Sequence, residues 1–140
     1  MGRPRQFNEP DAVAAAAAVL ARRGFAGTSV DDLVRATGVN RASLYGVFGS
    51  KDGLFRRCLA VALDALDDAP GRSEPTADAG PASVPDRRTA LDLVLVALME
   101  LAPDDLVLAT ELTSRLRAAG VTAADLGARA LERASAVNHA

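Results

Sequence analysis

Apolar positions along this chain recur at intervals of three and four, the spacing that puts side chains on one face of a helix, and no stretch alternates with the two-residue period of a strand. The pattern predicts an all-α protein. A first helix carries Val13, Ala16, Ala17 and Leu20 on one face, with Asn8 as its cap, Pro10 in its first turn and Gly24 as its stop. A second takes its stripe from Val30, Leu33 and Val34. Either Thr28 or Ser29 can cap it, since each has a carboxylate three residues on, at Asp31 and Asp32. Thr37-Gly38-Val39 reads as a tight turn, and Asn40 caps a third helix in which Leu44 and Phe48 bury together with Val47 beside them. That packing turns Ala42, Ser43, Tyr45 and Gly46 outward. Ser50 caps a fourth helix whose Leu54, Phe55, Cys58, Leu59, Ala62, Leu63 and Leu66 form a long stripe. This helix is the expected mechanical link between the two ends of the chain.

The periodicity then stops. Residues 69–86 hold four prolines and two glycines without an apolar repeat and are expected to form a flexible linker. Three more helices follow. The segment 87–102 is apolar on nearly every side, through Leu91, Leu93, Val94, Leu95, Val96, Leu98, Met99 and Leu101, which requires protein all around it. After Pro103, the segment 104–119 sets Leu108, Leu112 and Leu116 four apart and ends at Gly120. Thr122 and Asp125 then open a last helix whose Leu126, Ala130, Ala134 and Val137 make a narrow face of small residues. The expected division is a domain over 1–56 and a second over 57–140.

A hydrophobic content of 49% in 140 residues suffices for a core. The net charge of −2 is unevenly placed. Residues 1–57 hold nine Lys/Arg against five Asp/Glu, or +4, and residues 58–140 hold seven against thirteen, or −6. A basic end with an acidic body would orient the chain on a polyanion, because lysines and arginines release counterions from DNA. Cys58 is the lone cysteine, so no disulfide can form within the chain, and a reducing, cytoplasmic setting is the simplest expectation. The basic start followed by Ala12 to Ala21 imitates a signal peptide, but Glu9, Pro10 and Asp11 interrupt the junction, and the run is too short to span a bilayer. No membrane partner is expected. All five aromatic residues lie at or before residue 55, so a pocket in the aliphatic second half would hold a small hydrophobic ligand mainly by shape.

The outward side of the third helix carries the candidate chemistry. Small residues let a helix come close to base edges, the Ser43 and Tyr45 hydroxyls can donate to phosphate, and Arg41 has the fork for a bidentate contact with guanine. Arg41 can instead pair with Asp31 or Asp32 across the turn. Gly46 suits close backbone approach to DNA, or else marks a kink. Thr28 and Asn40, at helix starts, belong to the same candidate set. Lys51 stands at the positive end of the fourth helix, where a phosphate would be met twice over. Arg3 and Arg5 flank Pro4 in an arm that either lies along DNA or is a solvated terminus. His139, the sole histidine, sits beside the end, and no histidine and cysteine cluster with ligand spacing or phosphate-cradling loop occurs. Neither an enzyme, a metal nor a cofactor is expected.

Arg3-Pro4-Arg5, Gly24-Phe25, Thr28-Ser29-Val30, Gly38-Val39, Leu44-Tyr45, Phe48 and Ser50-Lys51 together resemble the N-terminal DNA-binding domain of the TetR family of bacterial repressors, over about Arg3 to Leu59. The resemblance implies a helix-turn-helix regulator that binds a pseudo-palindromic operator as a homodimer and is released by a small apolar effector. By the same resemblance Arg41 and Ala42 match base-reading positions and Ser43 a backbone-contact position. Relatives pair through their last two helices, which would assign Leu112, Leu116, Leu126, Ala130 and Ala134 to dimerisation. The chain departs from the pattern twice. Val47 stands where an aromatic or histidine commonly makes a phosphate contact, and the regulatory half is shorter than is usual. Those departures motivate the alternative of a helical protein-interaction module that keeps the helix-turn-helix shape without regulatory DNA binding.

Overall fold

The computed structural model describes residues 8–68 and 85–138. Its helices are α1 (Glu9–Arg23), α2 (Val30–Thr37), α3 (Arg41–Phe48), α4 (Lys51–Asp68), α5 (Arg87–Val96), α6 (Leu106–Ala119) and α7 (Ala123–Asn138). A π-helical turn, Ala97–Leu101, and a 3-10 turn, Ala102–Asp104, join α5 to α6. The described residues contain no strand, so the architecture is all-α as the periodicity predicts. Arg3, Arg5, His139 and residues 69–84 of the expected linker lie outside the described residues.

Local chemistry sets the helix ends. The Asn8 side chain accepts from the Asp11 N–H at 3.0 Å, and that of Asn40 accepts from the Ser43 N–H at 2.8 Å. Of the two candidate caps for α2, Ser29 takes the role: its Oγ accepts from the Asp32 N–H, and Asp32 accepts in return from the Ser29 N–H. That backbone hydrogen bond is the main reason the Asp32 carboxyl is held below its ordinary pKa. Ser50 caps α4 through the Gly53 N–H, and Thr122 and Asp125 exchange the same pair of bonds at α7. Gly38 closes α2 in the left-handed region, with φ of +73°.

Among the described residues one core runs from α1 to α6. The alanines of α1 let it lie close to α2, α4 and α5, burying Ala12, Val13, Ala16, Ala17, Leu20 and Ala21. Phe55 and Leu66, near opposite ends of α4, are both buried, and α4 packs on α1, α3, α5 and α6. The expected boundary at 56/57 thus falls inside one continuous helix, with the same core on either side.

The second half departs from expectation at three places. The helix expected over 87–102 changes to π geometry at Ala97 and to a 3-10 turn at Ala102, because Pro103 lacks a donor and crowds the preceding turn. Asp92 lies buried in the middle of apolar α5, where its carboxylate receives Arg129 in a fork at 2.7 and 3.0 Å and Arg133 at 3.2 Å. Leu112 and Leu116 are 0% and 5% exposed within the single chain, so they cannot form the dimer face assigned to them. The stripe fills the protomer's own core beside α4, and Arg115 of α6 pairs with Asp64 and Asp67 there. Leu126 is half-buried against that core. Ala130 and Ala134 are exposed on α7, next to an exposed Leu131.

Candidate nucleic-acid interface

α2 and α3 meet at the Gly38 turn and are held from behind by α1 and α4. Leu33, Val39 and Leu44 are buried, which fixes the rotation of α3 about its axis. The outward arc then contains Arg41, Ala42, Tyr45 and Gly46, all exposed, with Ser43 half-exposed at its edge. Val47, expected beside Leu44 and Phe48 in the core, is 37% exposed instead. At about 100° per residue it falls on the rim between the packed and outward sides, so it joins the exposed surface. Tyr45 is 40% exposed and lines a small cleft together with Leu44 and Phe48.

Asn40 is exposed, and its side-chain oxygen is committed to the Ser43 N–H, leaving its NH2 as the outward donor. Arg41 adopts the second of its two readings in this state: Nη2 donates to Asp31 Oδ1 at 2.6 Å. Both partners are well exposed, at 54% and 69%, so the pair is weak enough for a base edge to compete.

Thr28 and Lys51 are placed differently from expectation. The Thr28 side chain is 1% exposed and donates to the Gly24 carbonyl at 2.7 Å, so it is withdrawn from the surface. The turn between α1 and α2 needs that bond because its carbonyls have no helical partners. Lys51 serves the same turn. Its ammonium donates to the Phe25 and Thr28 carbonyls, each at 3.0 Å, and lies 4.3 Å from the centre of the Phe25 ring. Two of its three N–H donors are therefore used within the protein. The anchor is Phe55, buried and edge-on to Phe25 with ring centres 5.6 Å apart.

Among the described basic residues of this half, Arg23 and Arg35 pair with Asp32, Arg56 with Asp52 and Asp105, and Arg57 with Glu9. Of the nine Lys/Arg in residues 1–57, Arg3 and Arg5 lie outside the described residues, leaving seven against five acids. Half of the basic excess thus belongs to the arm.

Gly46 supplies a direct test of the outward arc. A Cβ built there meets nothing within 4 Å, so alanine fits the protein without strain and should raise helix stability by about 1 kcal/mol. If the backbone is a contact surface, Gly46→Ala raises the denaturation midpoint while weakening DNA binding. Equal or tighter binding by the stabilised variant would leave the glycine as a mere local irregularity.

No group of three metal-ligating side chains occurs among the described residues, and none of the described helices is long and apolar enough to cross a membrane. Burial pushes the Cys58 thiol up to about 12, which removes it as a nucleophile.

Residues 12–58 match the family described as bacterial regulatory proteins, tetR family. Over 58 residues the chain is 45% identical to the HTH-type transcriptional repressor BdcR of Escherichia coli K12, covering 41% of this chain and 29% of that protein. Over 63 residues it is 40% identical to the HTH-type transcriptional repressor ComR of the same organism, covering 45% of this chain and 30% of that protein. The chain thus spans under a third of the length of these curated relatives. A solved structure of a cysteine-substituted TetR family transcriptional regulator, CifR, complexed with 26-base-pair double-strand operator DNA, is 28% identical and covers 89% of this chain and 78% of its own, with a TM-score of 0.49. The matched segment, which builds most of α1, all of α2 and α3 and the start of α4, is similar to the tetR family of bacterial regulatory proteins.

Proposed function

We propose that the chain is a sequence-specific DNA-binding transcriptional regulator, a repressor that offers α3 to the major groove of a pseudo-palindromic operator. The observation that carries this reading is the outward arc of α3: Leu44 packs inward, while Arg41, Ala42, Tyr45 and Gly46 stand clear on the opposite side. The match of residues 12–58 and the similarity to two repressors over that segment support it. Such a regulator acts by occupancy and belongs to a non-enzymatic class. Its setting is the cytoplasm, where operator DNA is.

Two α3 helices one DNA turn apart require two protomers. With Leu112 and Leu116 buried inside each, the pairing surface is the outer face of α7, where Ala130, Leu131 and Ala134 are exposed and the small residues allow close helix contact. For an effector, α7 also borders an open groove of about 740 Å³ that includes Arg88, Arg129 and Glu132. Ala128, Leu131 and Ala136 share that lining with the charged groups, so the groove is mixed in character, and Leu131 belongs to the pairing face as well.

Selection of bound fragments from genomic DNA tests the proposal. A recovered motif with two-fold symmetry supports a paired repressor, and recovery of random fragments at every salt concentration would favour the helical interaction module. With the motif in hand, Arg41→Ala is expected to relax preference at one base pair per half-site, costing about 1 to 3 kcal/mol there. Competition titrations against single-base variants read this out, and an unchanged preference profile removes Arg41 from the base-reading set.

A further inference from the structure

The turn between α1 and α2 is gripped by two side chains from the far end of the chain. Glu100, in the π-helical turn after α5, accepts from the Phe25 N–H through Oε2 at 3.3 Å and from the Ala26 N–H through Oε1 at 2.8 Å. Two consecutive amides aimed at one carboxylate form a small anion-holding concavity. Gly24 is shaped for this contact: its φ is +86°, and a Cβ there would lie 2.5 Å from Glu100 Oε2. On the other side Arg133 of α7 donates to the carbonyls of Ala21 and Arg22, which the end of α1 leaves without helical partners. The same guanidinium touches buried Asp92 of α5. Negative charge meets amides and positive charge meets carbonyls, so both contacts run with the local dipoles.

We propose that Glu100 is a positioning residue for DNA reading: its carboxylate, backed by Arg133, locks the α1–α2 turn to the C-terminal helices and so sets the pitch at which α3 is presented to the groove. α2 begins at Val30, four residues beyond Ala26, and Lys51 holds the carbonyls of the same turn from α4. Any rotation of α2 and α3 against α5 must therefore break the Glu100 bonds. The π-helical turn is part of the device, because its wider ring shifts the register of the side chains that follow α5. The proposal rests on the DNA-binding reading above.

The test compares the full chain with Glu100→Gln, Glu100→Ala and Arg133→Lys, after circular dichroism has shown equal helix content. Amide hydrogen exchange should accelerate at Phe25 and Ala26 in both Glu100 variants and stay slow at the buried α4 residues Phe55 and Leu59. Affinity for the selected operator should fall by about five-fold or more, with a broader tolerance of half-site spacing. The sign is informative. Removing a carboxylate from a protein that binds a polyanion raises affinity if charge alone acts, so a fall reports lost positioning. Unchanged exchange at Phe25 and Ala26, or faster exchange with unaltered affinity and spacing, overturns the proposal. A wild-type chain that selects no DNA sinks the underlying reading by itself, whereas a wild type and variants that bind alike sink only this one.

Discussion

Asp92→Ala is expected to lower stability by about 3 kcal/mol, the low end for breaking a buried ion pair, and the melting temperature by on the order of 10 °C. Asp92 is 7% exposed and its carboxylate is the joint at which α5 receives Arg129 and Arg133 of α7. Its hydrogen bond is the largest cause of the upward shift of the Arg129 guanidinium pKa. Without it Arg129, 17% exposed at its side chain, retains only Glu132 at the surface and must leave its desolvated position or stay unpaired. Partial exposure of Arg133, at 30%, tempers the loss and is why the low end is expected. Replacing Asp92 and Arg129 together by leucine should recover most of the deficit, since the cost lies in the orphaned charge. Chemical denaturation of the three proteins measures this. A cost below about 1 kcal/mol for the alanine variant would show that the pair contributes little to joining the helices.

The second large effect is expected at Phe55. Truncation to alanine removes a side chain that is 0% exposed and should cost about 3 to 5 kcal/mol, combining lost burial with a cavity. Phe55 meets Phe25 in a T-shaped contact, and the Phe25 ring in turn lies under the Lys51 ammonium, so the loss reaches the α1–α2 turn. Phe55→Leu fills most of the volume and should cost under half as much in stability. The two variants therefore separate packing from positioning. If DNA affinity measured well below each variant's unfolding temperature falls in both, the ring contact with Phe25 matters beyond the volume it fills.

What the sequence made legible was the part governed by neighbours within about four residues. Asn8, Asn40, Ser50, the Thr122 and Asp125 box, Gly38 and Gly120 each mark the helix ends at which they are found, because capping is a local hydrogen-bond problem. The outward arc of α3 was legible for the same reason, through the spacing of Leu44 and Phe48. Val47 escaped because a rim position on a helix is decided by what packs nearby. Asp92, a lone carboxylate within an apolar run, has its partners 37 residues or more away, and Glu100 bonds to amides 74 and 75 residues distant. No periodicity carries such information. Lys51 and Thr28 are expected outward by their place in a motif, yet the carbonyls of the turn, which lack helical partners, draw both inward. Leu112 and Leu116 show the limit of stripe reading, since an apolar face says that burial is needed and leaves its partner unnamed.

Because Leu112 and Leu116 are satisfied within one protomer, each chain can complete its interior before it meets a second copy. On the proposed paired reading, these two leucines would be buried by folding and not by pairing. For a repressor that needs two protomers on its operator, occupancy in dilute solution would climb with the square of protein concentration rather than in proportion to it. On that reading a change in expression level would move such a promoter more steeply than a single-copy binder could, a consequence of which surface two leucines leave free.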